Sequence, residues 1–172
     1  ACIAQLRQRG IVIEYLNIGG GLGIIYKNEK PQTADEFARK ILPLLKKSGL
    51  KIIMEPGRFI IGSAAILVTR VLYVKKTPLK KFVIVDAGMN DLIRPSLYSA
   101  HHEIVPLQGA GSGKEKADIV GPICESGDFL AKERMLPQVK EGDFLAVFCA
   151  GAYGFSMASN YNSRRRPAEV LV

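Results

Sequence analysis

The stretch IVIEYLNIGGGLG, residues 11–23, decides the fold of the N-terminal part of the chain. Ile11 to Ile18 is apolar and β-branched apart from Glu14 and Asn17, a composition typical of a buried strand in a parallel sheet. The predicted strand ends at the glycine run of residues 19–23. Such a run indicates either a tight turn or a turn whose backbone N–H groups surround an anion such as phosphate. The pattern alone leaves both readings open.

A helix and a second strand are predicted to follow. Residues 33–36, TADE, have the pattern of a capping box, and apolar residues then recur at helical spacing until Gly49, a plausible helix stop. Pro43 is expected to kink or break this helix. The strand KIIM, residues 51–54, then ends at EPGR, residues 55–58. Strand, helix, strand is typical of a parallel crossover, so the glycine and EPGR turns are expected at one edge of the sheet.

The sequence changes character after about residue 70. Short strand-like segments separated by glycine, proline and charged turns predict an all-β domain of sandwich or barrel type. These segments are Arg70–Lys75, Lys81–Asp86, Ala117–Val120 and Phe144–Ala150. We therefore predict an α/β part over residues 1–70 and a β domain over residues 71–172.

Composition narrows the classes of function. The 172 residues are 48% hydrophobic, which allows a substantial core. The net charge is +8, but the basic residues are scattered except at Arg164–Arg166, so a solvated surface is favoured over nucleic-acid binding. The charge also suits an anionic cofactor and substrate. No apolar run is long enough to span a bilayer. We predict no nucleic-acid partner and no membrane association.

The cysteines and histidines favour a reduced compartment without a metal site. Cys2, Cys124 and Cys149 are odd in number and widely spaced, which fits free thiols in a cytoplasmic protein. His101 and His102 are adjacent, a spacing that does not suit chelation from one helix face.

Four short motifs carry reactive or charged groups, and each has an ordinary alternative. EPGR could grip a phosphate or carboxylate through Arg58, or form a surface ion pair. Arg94 and Tyr98 offer a cation and a hydroxyl in one predicted loop, or are ordinary surface side chains. Cys124, in the turn CESGD, could be an exposed general acid or a small buried hydrophobe. Tyr153, in GAYG, could present a free hydroxyl or pack at a strand end.

The order of five motifs resembles that of the diaminopimelate decarboxylases, in the alanine-racemase-like (fold-type III) group of pyridoxal-phosphate (PLP) enzymes. The motifs are GGGLG, EPGR, Arg94 with Tyr98, GPICESGDF and GAYGFSMASNYNSRRRP, and the resemblance runs from about Tyr15 to the last residue. It implies that residues 1–70 are the last two strand/helix units of an incomplete (β/α)8 barrel. Residues 71–172 would form a β-sandwich or Greek-key barrel.

The resemblance also implies roles for individual residues. Cys124 would be the catalytic proton donor. The cofactor PLP would be bound by Gly19, Gly20, Gly21, Glu55, Gly57, Arg58 and Tyr153. The substrate would be bound by Arg58, Arg94, Tyr98, Glu125 and Tyr153. The Cys124–Glu125 segment would cross the interface of a homodimer, so that each active site is shared between subunits.

The implied reaction is decarboxylation of meso-2,6-diaminopimelate to L-lysine and CO2. Arg94 favours this substrate over ornithine, because a distal carboxylate needs a cation. The alternatives are a related PLP decarboxylase of ornithine/arginine or carboxynorspermidine type, or a non-catalytic homologue. We find no candidate for the lysine that forms a Schiff base with PLP, and we expect the chain to begin inside a longer fold and to be inactive alone.

Overall fold

The structure is a computed structural model that describes residues 2–109, 111 and 113–172. The chain divides into two compact units. The first comprises Ala1–Ile25 with Glu29–Ile60, and the second comprises Tyr26–Asn28 with Ile61–Val172. The division falls between residues 60 and 61. The first strand of the second unit begins at Leu67.

The first unit is the predicted parallel crossover. Strands β1 and β2 pair in parallel, with Tyr15 opposite Lys51 and Asn17 opposite Ile53. The elements are α1 (Cys2–Gln8), β1 (Tyr15–Asn17), α2 (Ala34–Ser48), β2 (Lys51–Ile53) and α3 (Gly57–Ile61), whose last residue belongs to the second unit.

Helix α2 begins as its sequence predicts. The Thr33 side chain accepts a hydrogen bond from the Glu36 N–H, and the Glu36 carboxylate accepts one from the Thr33 N–H. Gly49 ends the helix in the left-handed conformation, at φ 66°. The expected break at Pro43 is wrong: the helix continues through it to Ser48. A proline removes one N–H donor, and the remaining hydrogen bonds of a 15-residue helix hold it together.

The expected buried strand over residues 11–18 is also wrong. The observed strand covers only Tyr15–Asn17, and Tyr15 and Asn17 are exposed. β1 and β2 form a sheet of two strands, so the apolar side chains have no further strands beside them.

The second unit contains one six-stranded sheet in the order β5-β8-β3-β4-β6-β7, where β4 and β6 are parallel and the other neighbours antiparallel. The sequence predicted four of these strands but missed β5 and β7. The elements are β3 (Leu67–Lys76), β4 (Lys81–Val85), α4 (Arg94–Tyr98), β5 (Ile104–Pro106), β6 (Lys114–Val120), β7 (Phe129–Pro137) and β8 (Phe144–Val147), with 3-10 turns at Gly62–Ala64, Phe155–Met157 and Tyr161–Ser163.

The sheet curls until it is nearly a barrel. The first half of β3 pairs with β8 and the second half with β4, with a bulge between Val71 and Tyr73. The two edge strands approach each other, because Arg134 of β7 donates to the His102 carbonyl at 2.8 Å and lies 3.6 Å from Glu103, next to β5. The single strand order fits the barrel alternative better than a sandwich of two separate sheets.

The core of this unit is a layer of branched aliphatic side chains from all six strands and the loop before α4. Burial of each valine or leucine contributes about 1.5–3 kcal/mol, so the sheet is a firm support for the loops that leave it. The buried set includes Val71, Val83, Val85, Leu92, Ile104, Ile119, Leu130, Leu136, Leu145 and Val147. No helix among the described residues is long and apolar enough to cross a membrane.

Candidate functional site

The glycine turn and Glu55 lie together in the first unit. Gly19 and Gly21 have φ of 68° and 84°, left-handed values that favour glycine. A Cβ on Gly20 would lie 2.9 Å from the Glu55 carbonyl oxygen, so only glycine fits there. The Glu55 N–H donates to the Gly19 carbonyl at 2.8 Å. The two turns thus meet at one sheet edge, as the crossover predicted.

Asn17, the last residue of β1, joins these two turns. Its Oδ1 accepts a hydrogen bond from the Gly19 N–H at 2.8 Å, and its Nδ2 donates to the Glu55 carboxylate. The first bond fixes the amide orientation, so that the NH₂ group necessarily faces Glu55. Asn17 therefore holds the Glu55 carboxylate in position without adding a charge. The sequence analysis noted Asn17 only as a polar interruption of a strand.

The rest of EPGR opens helix α3. The Gly57 N–H donates to the Glu55 carbonyl at 2.8 Å, which closes a tight turn immediately after Glu55. Arg58 is exposed within this five-residue helix. Arg58 therefore follows Glu55 by three residues along the chain.

Arg94 and Tyr98 lie on helix α4 and not in the predicted loop. They are four residues apart and so share a helix face. Arg94 is only 6% exposed, whereas Tyr98 is 61% exposed. The ordinary reading of Arg94 as a surface side chain is therefore wrong.

Neutral groups surround the Arg94 guanidinium. Its Nη1 donates to His102 Nε2 at 3.0 Å, and its Cζ lies 4.5 Å from the centre of the Tyr26 ring. The Tyr26 and His102 rings meet edge to face at 5.3 Å. His102 is fully buried, and its Nδ1 donates to the Phe148 carbonyl at 2.9 Å.

The charge state of His102 follows from this environment. The pKa of His102 is lowered to about 4, chiefly by burial and also by the positive charges of Arg94, His101 and Arg134, whereas the bond to the Phe148 carbonyl acts in the opposite direction. His102 is thus neutral at physiological pH. Neither His102 nor Tyr26 therefore carries a charge that compensates Arg94.

The loop containing Cys124 and Glu125 is anchored by Asp128. Cys124 is exposed, so it is not the small buried hydrophobe of the alternative interpretation. Asp128, 6% exposed, accepts the N–H of Met89 at 2.7 Å and the N–H of Ile123 at 2.5 Å. These bonds fix the residue before Cys124 against the loop that precedes α4.

Helix α4 and the Cys124 loop are neighbours. A Cβ on Gly127 would lie 2.7 Å from Ser96 Oγ, so a side chain there would require the Ser96 hydroxyl to move. The second unit therefore brings Arg94 and Tyr98 near the Cys124–Glu125 loop, although the sequence separates them by about thirty residues.

Glu125 has a partner that the sequence analysis missed. Tyr161 Oη donates to Glu125 Oε2 at 3.1 Å. This hydrogen bond, together with the negative charge of Glu125, raises the pKa of the Tyr161 hydroxyl. Tyr161 lies in the motif GAYGFSMASNYNSRRRP, but tyrosine in a polar stretch gives no signal of its partner.

Tyr153 lies in a strained turn after β8. Its φ is 62° and its side chain is 42% exposed, so it is not the packed aromatic of the ordinary reading. A Cβ on Gly154 would lie 2.1 Å from the Ala150 carbonyl oxygen. The turn that presents Tyr153 thus depends on glycine at position 154.

Two residues of the arginine run make ordinary contacts. In the arginine run, Arg164 donates to the Asp86 carbonyl at 2.5 Å, and Arg166 lies over the Phe155 ring at 4.4 Å. These contacts fold part of the run onto its own unit.

No group of three or more His, Cys, Asp or Glu among the described residues is arranged to hold a metal ion.

Comparison with known proteins gives a consistent picture. The family described as pyridoxal-dependent decarboxylase, C-terminal sheet domain, matches residues 15–151. A diaminopimelate decarboxylase of Aquifex aeolicus is 55% identical over 169 residues, which cover 98% of this chain and 40% of the relative. The chain therefore spans about two fifths of the length of the curated relatives it matches.

Solved structures agree. A crystal structure from Aquifex aeolicus has a TM-score of 0.94 and 53% identity, covering 99% of this chain and 43% of that one. A diaminopimelate decarboxylase of Helicobacter pylori, complexed with L-lysine, has a TM-score of 0.87 and 46% identity, covering 95% and 40%. The resemblance drawn from the five motifs is confirmed, and this chain belongs to the pyridoxal-dependent decarboxylase family, whose C-terminal sheet domain it contains.

Proposed function

We propose that this chain is part of a longer enzyme that decarboxylates meso-2,6-diaminopimelate to L-lysine and CO2 with PLP. The observation that carries the proposal is Arg94, a buried cation whose contacting side chains, His102 and Tyr26, are both neutral. A buried charge normally requires a partner of opposite sign. A carboxylate at the distal end of the substrate supplies that partner, and diaminopimelate has one.

The residues of the first unit suit PLP. Gly19 and Gly21 have left-handed φ and Gly20 lies between them, so the turn has no side chains of its own and its backbone N–H groups can surround a phosphate. Glu55, oriented by Asn17, can pair with a protonated pyridine nitrogen. Gly57 and Arg58 follow in the same turn, and Arg58 would contact the phosphate and the substrate carboxylate. When bound, PLP supplies an electron sink for the pair of electrons left as CO2 departs.

The other residues would orient the substrate and move the proton. Arg94 and Tyr98 would hold the distal amino-acid end, with Arg94 on its carboxylate. Glu125, which already accepts a hydrogen bond from Tyr161, would bind the ammonium group at the distal end of the substrate. Tyr153 would hydrogen-bond near the phosphate and the reacting end. Cys124 Sγ, exposed on an anchored loop, would deliver the proton that replaces the lost carboxylate.

The remainder of the enzyme belongs to the same proposal. Residues 1–70 would be the last two strand/helix units of a (β/α)8 barrel and residues 71–172 the C-terminal β domain. The earlier barrel strands would bring the lysine that attaches the cofactor, so this chain alone would be inactive. The enzyme would be a cytoplasmic homodimer in which the Cys124 loop completes the partner subunit's site.

The test is CO2 release from meso-diaminopimelate in the presence of PLP. This chain is co-expressed with the missing portion of the Aquifex aeolicus relative, and the chain alone is the control. Release from the pair with diaminopimelate and not with ornithine supports the proposal. Release from the chain alone refutes the claim of a missing lysine. An assembled pair that binds PLP but releases nothing, or that prefers ornithine, refutes the substrate assignment.

A further inference from the structure

We propose that His102 is a positioning residue for the reaction: it fixes the Arg94 guanidinium through an uncharged acceptor and so leaves the whole charge of Arg94 for the substrate carboxylate. The inference rests on the proposed function, because it assumes that Arg94 binds a carboxylate. It assigns to a buried histidine a role that its sequence context does not suggest.

The tautomer of His102 is determined by its two neighbours. The Phe148 carbonyl can only accept a hydrogen bond, so the His102 Nδ1 2.9 Å away must carry the proton. In the neutral ring Nε2 then has a lone pair and can only accept. The Arg94 Nη1, 3.0 Å from Nε2, can only donate. Each donor therefore faces an acceptor in the series of hydrogen bonds that runs from the Phe148 carbonyl through His102 to Arg94.

A neutral acceptor differs from a carboxylate at this position. An aspartate or glutamate would hold the guanidinium equally well, but it would neutralise the charge that the substrate needs. The imidazole occupies only one of the five N–H donors of the guanidinium and cancels none of its charge. The remaining donors stay available for a planar, two-point contact with a carboxylate.

The cluster around His102 makes this orientation rigid. The Tyr26 ring packs on both the His102 ring and the Arg94 guanidinium. Arg134 donates to the His102 carbonyl at 2.8 Å and so holds its backbone from the opposite edge of the sheet. His102 is fully buried, so no water competes for Nε2. The Arg94 side chain is therefore held before any substrate arrives.

Two substitutions separate the two hydrogen bonds of His102. In His102→Gln the side-chain oxygen can reach the place of Nε2 and accept from Arg94. In His102→Asn the amide can reach only the place of Nδ1 and donate to the Phe148 carbonyl. The pair is matched in chemistry, and only the asparagine loses the bond to Arg94.

The measurement uses the assembled enzyme and two amines that differ by one carboxylate. L-lysine keeps the distal carboxylate of diaminopimelate and cadaverine lacks it. We would measure the dissociation constant of each, with kcat and KM for diaminopimelate. His102→Asn is expected to weaken lysine binding about tenfold and raise KM similarly, with cadaverine binding and kcat within about twofold of wild type. His102→Gln is expected to keep the wild-type ratio of lysine to cadaverine affinity.

The ratio also controls for damage to the fold, because misfolded protein lowers the apparent binding of both amines equally. The inference is overturned if His102→Asn keeps the wild-type ratio of lysine to cadaverine affinity. It is also overturned if a folded His102→Gln loses that ratio. If His102→Asn does not fold, His102→Gln alone decides in the same way. An assembled wild-type enzyme that does not distinguish the two amines refutes the proposed substrate instead, so the two failures are distinguishable.

Discussion

Asp128 is the residue whose removal should most clearly loosen the Cys124 loop. Its carboxylate is almost fully buried and accepts two backbone N–H groups, from Met89 and Ile123, which lie on different loops. Substitution Asp128→Ala removes both acceptors and leaves both N–H groups without a partner. The Cys124 loop would then lose its attachment to the segment before α4.

The magnitude follows from these two bonds. A hydrogen bond to a charged acceptor contributes about 1.5–3 kcal/mol, so two give about 3–6 kcal/mol. The buried carboxylate also loses hydration on folding, which offsets part of this gain. We expect Asp128→Ala to lower the free energy of unfolding by about 3 kcal/mol. At roughly 4 °C per kcal/mol for a domain of this size, the melting temperature should fall by about 12 °C.

The assay combines thermal unfolding by circular dichroism with amide hydrogen exchange. Exchange at Met89 and Ile123 should accelerate in Asp128→Ala well before global unfolding. The matched control is Asp143→Ala, which removes a single hydrogen bond from the Lys140 N–H in a turn and should cost about 1 kcal/mol. Equal effects of the two substitutions, or unchanged exchange at Ile123, would refute the reasoning.

Three further predictions concern single positions. Asn17→Ala should weaken PLP binding to the assembled enzyme about tenfold, because a hydrogen bond to a charged acceptor is lost; equilibrium titration of the cofactor measures this. Because the pKa of His102 is about 4, the unfolded chain takes up a proton below pH 6.5 and the folded chain does not. The free energy of unfolding should therefore fall by up to about 3 kcal/mol as pH drops from 6.5 to 4. Urea unfolding of the wild type and of His102→Gln across this pH range measures the change. Gly154→Ala should lower the melting temperature by several degrees, since its Cβ would overlap the Ala150 carbonyl, whereas Gly109→Ala, with nothing within 4 Å, should not.

Each of these predictions has a contradicting result. Unchanged PLP affinity in Asn17→Ala would show that Glu55 needs no orienting partner. The same acid sensitivity in wild type and His102→Gln would mean that another group titrates. Equal melting of the two glycine variants would show that the turn at Tyr153 tolerates a side chain.

The sequence predicted several features of the first unit correctly. The capping box at Thr33, the stop at Gly49 and the parallel crossover all depend on neighbouring residues, and all are confirmed. The failures concern properties that depend on distant partners. Burial of residues 11–18 requires strands beside β1, and a strand pattern cannot report whether they are present.

The contrast between local signals and distant partners also explains which features of the second unit the sequence failed to predict. Strands β5 and β7 were missed because β5 has only three residues and β7 carries charged residues in its middle. The burial of Arg94 depends on Tyr26, His102 and Phe148, which are separated from it along the chain by 68, 8 and 54 residues. No local pattern encodes such a cluster, so the sequence could name Arg94 but not its environment.

Two charged residues of the candidate functional residues, one in each unit, follow the same electrostatic rule. Glu55 is held by the Asn17 amide and Arg94 by the His102 imidazole, and both holding groups are neutral. Elsewhere charges meet each other directly: Lys80 pairs with Asp118 at 2.9 Å and Lys81 with Glu115 at 3.1 Å.

An internal ion pair satisfies its own charges and has little left for a ligand. A charge held by a neutral hydrogen-bond partner keeps its position and its full attraction for an ion of opposite sign. This difference separates the structural charges of the sheet from Glu55 and Arg94, two of the charges that we assign to function. It also explains why replacing His102 by an acidic residue, which would pair with Arg94, should harm carboxylate binding more than removing the hydrogen bond.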